Sequence, residues 1–76
     1  MEDSFIVDLY WRRDEQAIAE TERKYGGACE SLACRFLPAA EDAEEIVQDA
    51  YLSLWNTIPP QRPEHLGAYL FRTVRN

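Results

Sequence analysis

Apolar residues recur along this chain at steps of three and four, and no stretch alternates apolar with polar positions, so the pattern predicts helix throughout. The widest stripe lies in residues 42–58, where Ala43, Ile46, Val47, Ala50, Tyr51, Leu54, Trp55 and Ile58 share one helical face and are expected to form core. Asp42 and Glu45 have the spacing of a capping box at its start, and Pro59 and Pro60 close it. Upstream, Ser4 is placed to cap a short first helix with Phe5, Ile6, Leu9 and Tyr10 inside. Asp14 is placed to cap a second helix that carries Arg23 and Lys24 in its last turn. Gly26 and Gly27 predict a stop or a sharp bend, after which residues 28–37 form a third helix with Ala28, Leu32, Cys29 or Ala33, and Phe36 inward. Pro38 ends it. A proline-rich connector over residues 59–63 leads to a last helix from Glu64, carrying Leu66, Tyr69, Leu70 and Val74. The expectation is an all-α fold, a compact bundle of four to five helices in a single domain over residues 1–76. It divides into opening helices (1–37), a long acidic helix (39–58) and a C-terminal helix (64–76). No stop signal precedes Asn76, so the natural protein is expected to continue, with this chain its N-terminal part.

Composition narrows the functional classes. Seventy-six residues suffice for one domain, and 46% hydrophobic content is too apolar for a disordered chain. No apolar run approaches the roughly 20 residues that cross a bilayer, so no membrane insertion is expected. The acidic N-terminus lacks the basic start and apolar stretch of a signal peptide, which favours a cytoplasmic location. Cys29 and Cys34, five apart in a helix, would hold their Cα atoms roughly 8 Å apart. That is too far for a disulfide, and with His65 the only histidine no metal set assembles. Neither a metal nor a cofactor is expected. Catalysis is equally unsupported: there is no phosphate-binding glycine loop, and Glu45 is followed at the third position by Gln48 instead of the histidine of a di-iron motif.

The net charge of −6 conceals a division. Residues 1–60 carry five bases and thirteen acids, whereas residues 61–76 carry Arg62, Arg72 and Arg75 against Glu64 alone. On the acidic helix, the face opposite the apolar stripe presents Glu41, Glu44, Glu45, Gln48, Asp49, Leu52, Ser53 and Asn56. Such a face is ordinarily solvated. Here, however, carboxylates without one compensating base surround an apolar Leu52, the pattern of a docking patch for a basic partner. On the last helix, Tyr69, Arg72 and Asn76 align at steps of three and four. An aromatic ring, a guanidinium and an amide so placed can stack on an unpaired base, hold a phosphate and bond a base edge.

Residues 41–55 (EDAEEIVQDAYLSLW), followed after a short loop by residues 68–76 (AYLFRTVRN), closely resemble region 2 of bacterial RNA polymerase sigma factors, in particular the extracytoplasmic-function group. Arg13 to Ala17 and Tyr25–Gly26 are similar to that family's opening helices. The resemblance implies a transcription initiation domain. It would dock on the coiled coil of the beta-prime subunit of RNA polymerase core through Glu45, Gln48, Asp49 and Leu52. It would take up the melted non-template single strand of the minus-ten promoter element through the loop 61–64 and Arg62, Tyr69, Arg72 and Asn76, with a flipped base in a pocket built partly by the loop. An anti-sigma factor is a further partner that such a domain would meet. The chain departs from many relatives at Tyr69, where tryptophan is usual, and at Phe71, where tyrosine is usual. The alternative is a stand-alone protein-interaction adaptor of the same fold that never touches DNA.

Overall fold

The computed structural model describes residues 1–76 as four helices without strands: α1 (Asp3–Trp11), α2 (Gln16–Phe36), α3 (Ala40–Thr57) and α4 (Leu66–Arg75). The longest helix, α2, packs against each of the other three. Its core side is lined by Ala17, Cys29 and Ala33, with Thr21 the buried polar residue. Small side chains along α2 let the larger ones of its neighbours meet: Ile6 and Tyr10 from α1, Leu54 from α3, Ile58 just beyond it, and Leu66 and Leu70 from α4 are all fully buried. Burying each such aliphatic side chain contributes roughly 1.5–3 kcal/mol. An exposed ion pair contributes roughly 0–1 kcal/mol, so the core holds the bundle and the surface charges do not. Thr21 is satisfied internally. Its hydroxyl donates to Ala17 O at 2.7 Å and accepts from the Tyr10 hydroxyl at 2.8 Å.

The predicted break at Gly26–Gly27 does not form; α2 runs through both glycines, neither of which has positive φ. The physical reason differs between them. A Cβ on Gly26 would sit 3.3 Å from the Tyr51 hydroxyl, so the missing side chain lets α3 approach, whereas Gly27 faces open space. Helix starts also differ from expectation. Ser4 lies inside α1, and Asp42 lies inside the first turn of α3, which begins at Ala40 with no side-chain cap. Asp14 stands one residue ahead of the N-cap position, which Glu15 occupies, but its Oδ1 still accepts from Gln16 N at 2.9 Å and so serves the start of α2.

Six of the eight stripe positions on α3 and its C-cap are buried: Ala43, Val47, Ala50, Tyr51, Leu54 and Ile58. Trp55 is half-buried, and Ile46 stands at the edge with 36% exposure. Three other inward assignments are corrected. Phe5 and Phe36 are 58% and 61% exposed, and Ala28 also faces solvent, because the core side of α1 runs through Ile6, Val7 and Tyr10 and that of α2 through Cys29 and Ala33. α2 ends at Phe36; Leu37, ahead of Pro38, is already extended at φ −125° and ψ 119°.

Two side chains from the start of the chain hold distant helix ends. Asp3 accepts at Oδ1 from Lys24 Nζ (2.8 Å) and the Tyr25 hydroxyl (2.6 Å), and at Oδ2 from Leu66 N (3.2 Å). It thereby caps α4 from α1, and α4 begins at Leu66 instead of Glu64. Burial works against the charged Asp3 carboxylate, but the bonds from Lys24 and Tyr25, the Lys24 charge and the Leu66 amide together hold its pKa below the ordinary value. Arg13 does the converse for α3, donating to Trp55 O at 2.8 Å and Ile58 O at 3.0 Å with its guanidinium 3.7 Å over the Trp55 ring.

Candidate functional site

Two faces gather the chemistry. On α3, Glu45, Gln48, Asp49 and Leu52 are all exposed, and Leu52 shows 56% of its surface. Helical spacing of three and four places them in one row because Val47, Ala50, Tyr51 and Leu54 occupy the buried side. None of the four makes a side-chain hydrogen bond or ion pair within the chain; the three ion pairs are Arg23–Glu20, Lys24–Asp3 and Arg62–Asp8. The acidic row is therefore free, and Leu52 is the apolar point within it.

The second face is concave. The loop 61–64 and the first turns of α4 enclose an open cavity of about 380 Å³, lined by Gln61, Arg62, Pro63, Glu64, His65, Ala68, Tyr69 and Arg72. Three of the four predicted nucleic-acid residues, Arg62, Tyr69 and Arg72, come together there. Asn76 does not. It lines a separate cleft between α3 and α4 with Ile46, Asp49, Ala50, Thr73 and Val74, beside the acidic row. The spacing along α4 set Asn76 on the flank of Arg72, but the loop closes the cavity only over the first turns of the helix.

Local structure explains how the cavity residues are held. The Tyr69 hydroxyl donates to Thr57 Oγ1 at 2.8 Å, and that hydroxyl donates to Ser53 O at 2.9 Å, which ties the half-buried ring to the end of α3. Gly67 is buried because Tyr25 lies across it: a Cβ there would come within 2.8 Å of Tyr25 Cε1. The Tyr25 ring in turn meets Phe71 edge-on at 5.9 Å. Arg72 is exposed with no partner, whereas Arg62 donates to the Asp8 carboxylate and lies 5.6 Å from the centre of the Trp11 ring. These α1 contacts of Arg62 escape sequence reasoning, because Asp8 and Trp11 stand more than fifty positions from Arg62 and share no local pattern with it.

What fold and site define is a small helical module with a free acidic face and a cationic, aromatic cavity. The sigma-70 region 2 family matches residues 23–76, most of the chain, and the protein belongs to that family. Neither curated proteins nor solved structures provide a match. Region 2 is a non-enzymatic domain of transcription initiation factors, and its partners as a family are RNA polymerase core and promoter DNA. The match begins at Arg23, inside α2, and leaves all of α1 outside it. No helix is long and apolar enough to cross a membrane.

Proposed function

We propose that this chain docks on the beta-prime coiled coil of RNA polymerase core through the α3 row and receives the melted non-template strand of the minus-ten element at the loop cavity, assisting promoter melting in the cytoplasm. The observation that carries the proposal is the division of labour between the faces. The row of Glu45, Gln48, Asp49 and Leu52 is acidic, exposed and free of internal partners, and not one of these residues lines the cavity that holds Arg62, Tyr69 and Arg72. A basic helical hairpin complements the first in charge, with Leu52 as the apolar contact. An unpaired base suits the second, where Tyr69 offers a ring to stack on and Arg72 a free guanidinium for phosphate. On this assignment Asn76 belongs to the border of the docking face, and DNA contact rests on Arg62, Tyr69 and Arg72. The domain division follows: residues 1–37 are scaffold, 39–58 docking helix and 64–76 promoter-facing helix.

Paired charge reversal, Glu45→Lys with Asp49→Lys, is expected to abolish association with polymerase core while helical content by circular dichroism stays unchanged. Arg72→Ala is expected to leave association intact and weaken capture of single-stranded promoter DNA by the complex. Intact polymerase binding by the double reversal would remove the docking assignment. Undiminished strand capture by Arg72→Ala, and by Tyr69→Ala, would leave an adaptor that binds polymerase alone.

A further inference from the structure

We infer that α1 acts as the positioning element of the loop cavity, with Asp8 and Trp11 the residues that orient Arg62 toward the strand; this rests on the strand-binding reading above. The loop has little to hold it in shape by itself. Between the end of α3 and the start of α4, its internal backbone support is the bond from Gln61 N to Thr57 O at 2.9 Å, and residues 61–64 belong to no helix. Its remaining anchors come from α1 and the turn that follows. Arg13 bonds Trp55 O and Ile58 O at the root of the loop. Trp11 Nε1 donates to Gln61 O at 3.2 Å. Asp8 receives Arg62, whose guanidinium also lies over the Trp11 ring. Beyond Arg62, Ser4 and Val7 face Pro63 and Glu64 only across an open cavity. Three points of the connector, at Ile58, Gln61 and Arg62, are thus held by one short helix and its closing turn.

The contacts leave Arg62 usable. The guanidinium has five N–H donors in a fixed planar fork, and the Asp8 contact engages it through Nη2. Its side chain remains 54% exposed and still lines the cavity. An exposed pair of this kind adds little stability. Its effect is directional: a carboxylate on one edge and an indole on one face turn a long, flexible side chain into a fixed donor. Asp8 is therefore expected to matter for discrimination between bases and hardly at all for folding.

The test uses the chain bound to RNA polymerase core and fluorescein-labelled oligo(dT) carrying dA, dC, dG or an abasic site at one central position, read by anisotropy. The wild-type complex is expected to bind one base-bearing oligonucleotide more tightly than the abasic one. In Asp8→Asn that ratio should fall by about three- to tenfold, the loss expected of one misoriented hydrogen bond. Abasic affinity should hold or rise, because a carboxylate near the strand has been removed. Trp11→Phe, which keeps an aromatic side chain but replaces the indole and removes its N–H, should lower the ratio in the same sense. An unchanged ratio would overturn the inference. So would an equal rise on all oligonucleotides, which would make Asp8 a mere shield of Arg62, or an equal fall, which would make α1 purely a stabiliser. If the wild-type complex shows no preference and Arg62→Ala and Arg72→Ala bind as it does, the strand-binding reading itself fails.

Discussion

Arg13 occupies a backbone position that suits glycine. Its φ is 56°, and the chain around it closes α1 as a Schellman turn: Arg13 N bonds Tyr10 O and Asp14 N bonds Leu9 O, each at 3.0 Å. A side chain in this left-handed conformation costs roughly 1–2 kcal/mol. What offsets the cost is the guanidinium, which bonds two carbonyls at the end of α3 and stacks on Trp55. Because the residue is solvent-exposed, those contacts contribute about 1–2 kcal/mol and not the full strength of buried charged bonds. Arg13→Ala keeps the strain and loses the contacts, so it should destabilise by that amount. Arg13→Gly loses the contacts but relieves the strain, and should be the more stable of the two by about 1 kcal/mol. Urea denaturation of both variants checks the order. An alanine variant as stable as glycine would mean that the turn carries no strain.

At the scale of elements, glycines inside helices make opposite demands. A methyl group on Gly27 would meet nothing within 4 Å, so Gly27→Ala should raise stability by about 0.5–1 kcal/mol, as expected of an exposed helix interior. A lower melting temperature would contradict a continuous α2. Gly67→Ala should instead destabilise by about 1–3 kcal/mol, since the Tyr25 ring it would strike is held by Asp3 and Phe71 and cannot step aside. These positions also mark where sequence reasoning stops. The buried side of α3 was legible because a helix's own periodicity decides which residues face inward. The same holds for the exposed acidic row and for Leu52, which follow from that periodicity alone. The pair Gly26–Gly27 reads identically as a stop or as a close approach, and what separates the two is Tyr51 on another helix. The caps of α4 by Asp3 and of α3 by Arg13, and the hold of α1 on Arg62, likewise arise from packing between segments far apart in the chain.

For the whole molecule, charge and burial combine to set an alkaline limit. Cys29 and Tyr51 are buried on the packed faces of α2 and α3. Burial, with the Glu30 charge second, pushes the Cys29 thiol from 9.0 to about 11. Burial, with the nearby Cys29, Glu22, Glu30 and Tyr10 adding to it, pushes Tyr51 from 10.0 to about 12. Both groups are neutral when buried and ionise more readily in the unfolded chain. Their contribution to stability is therefore complete below the unfolded values and is lost as pH rises, from 9.0 to about 11 for Cys29 and from 10.0 to about 12 for Tyr51. Asp3 acts in the opposite sense: its lowered pKa stabilises the fold above the ordinary 3.8, and that stability is lost as pH falls below it. New thiolate or phenolate charge would also appear within a chain already at −6, with no basic residue between Arg35 and Arg62 to balance it. The urea midpoint should thus begin to decline near pH 9 in the wild type. In Cys29→Ala, whatever its midpoint at neutral pH, the decline should begin about one unit higher, where the tyrosines take over. A flat profile through pH 11 would show that the thiol is not sealed in the α2–α3 seam, and an unmoved onset in the variant would place the whole alkaline limit on the tyrosines.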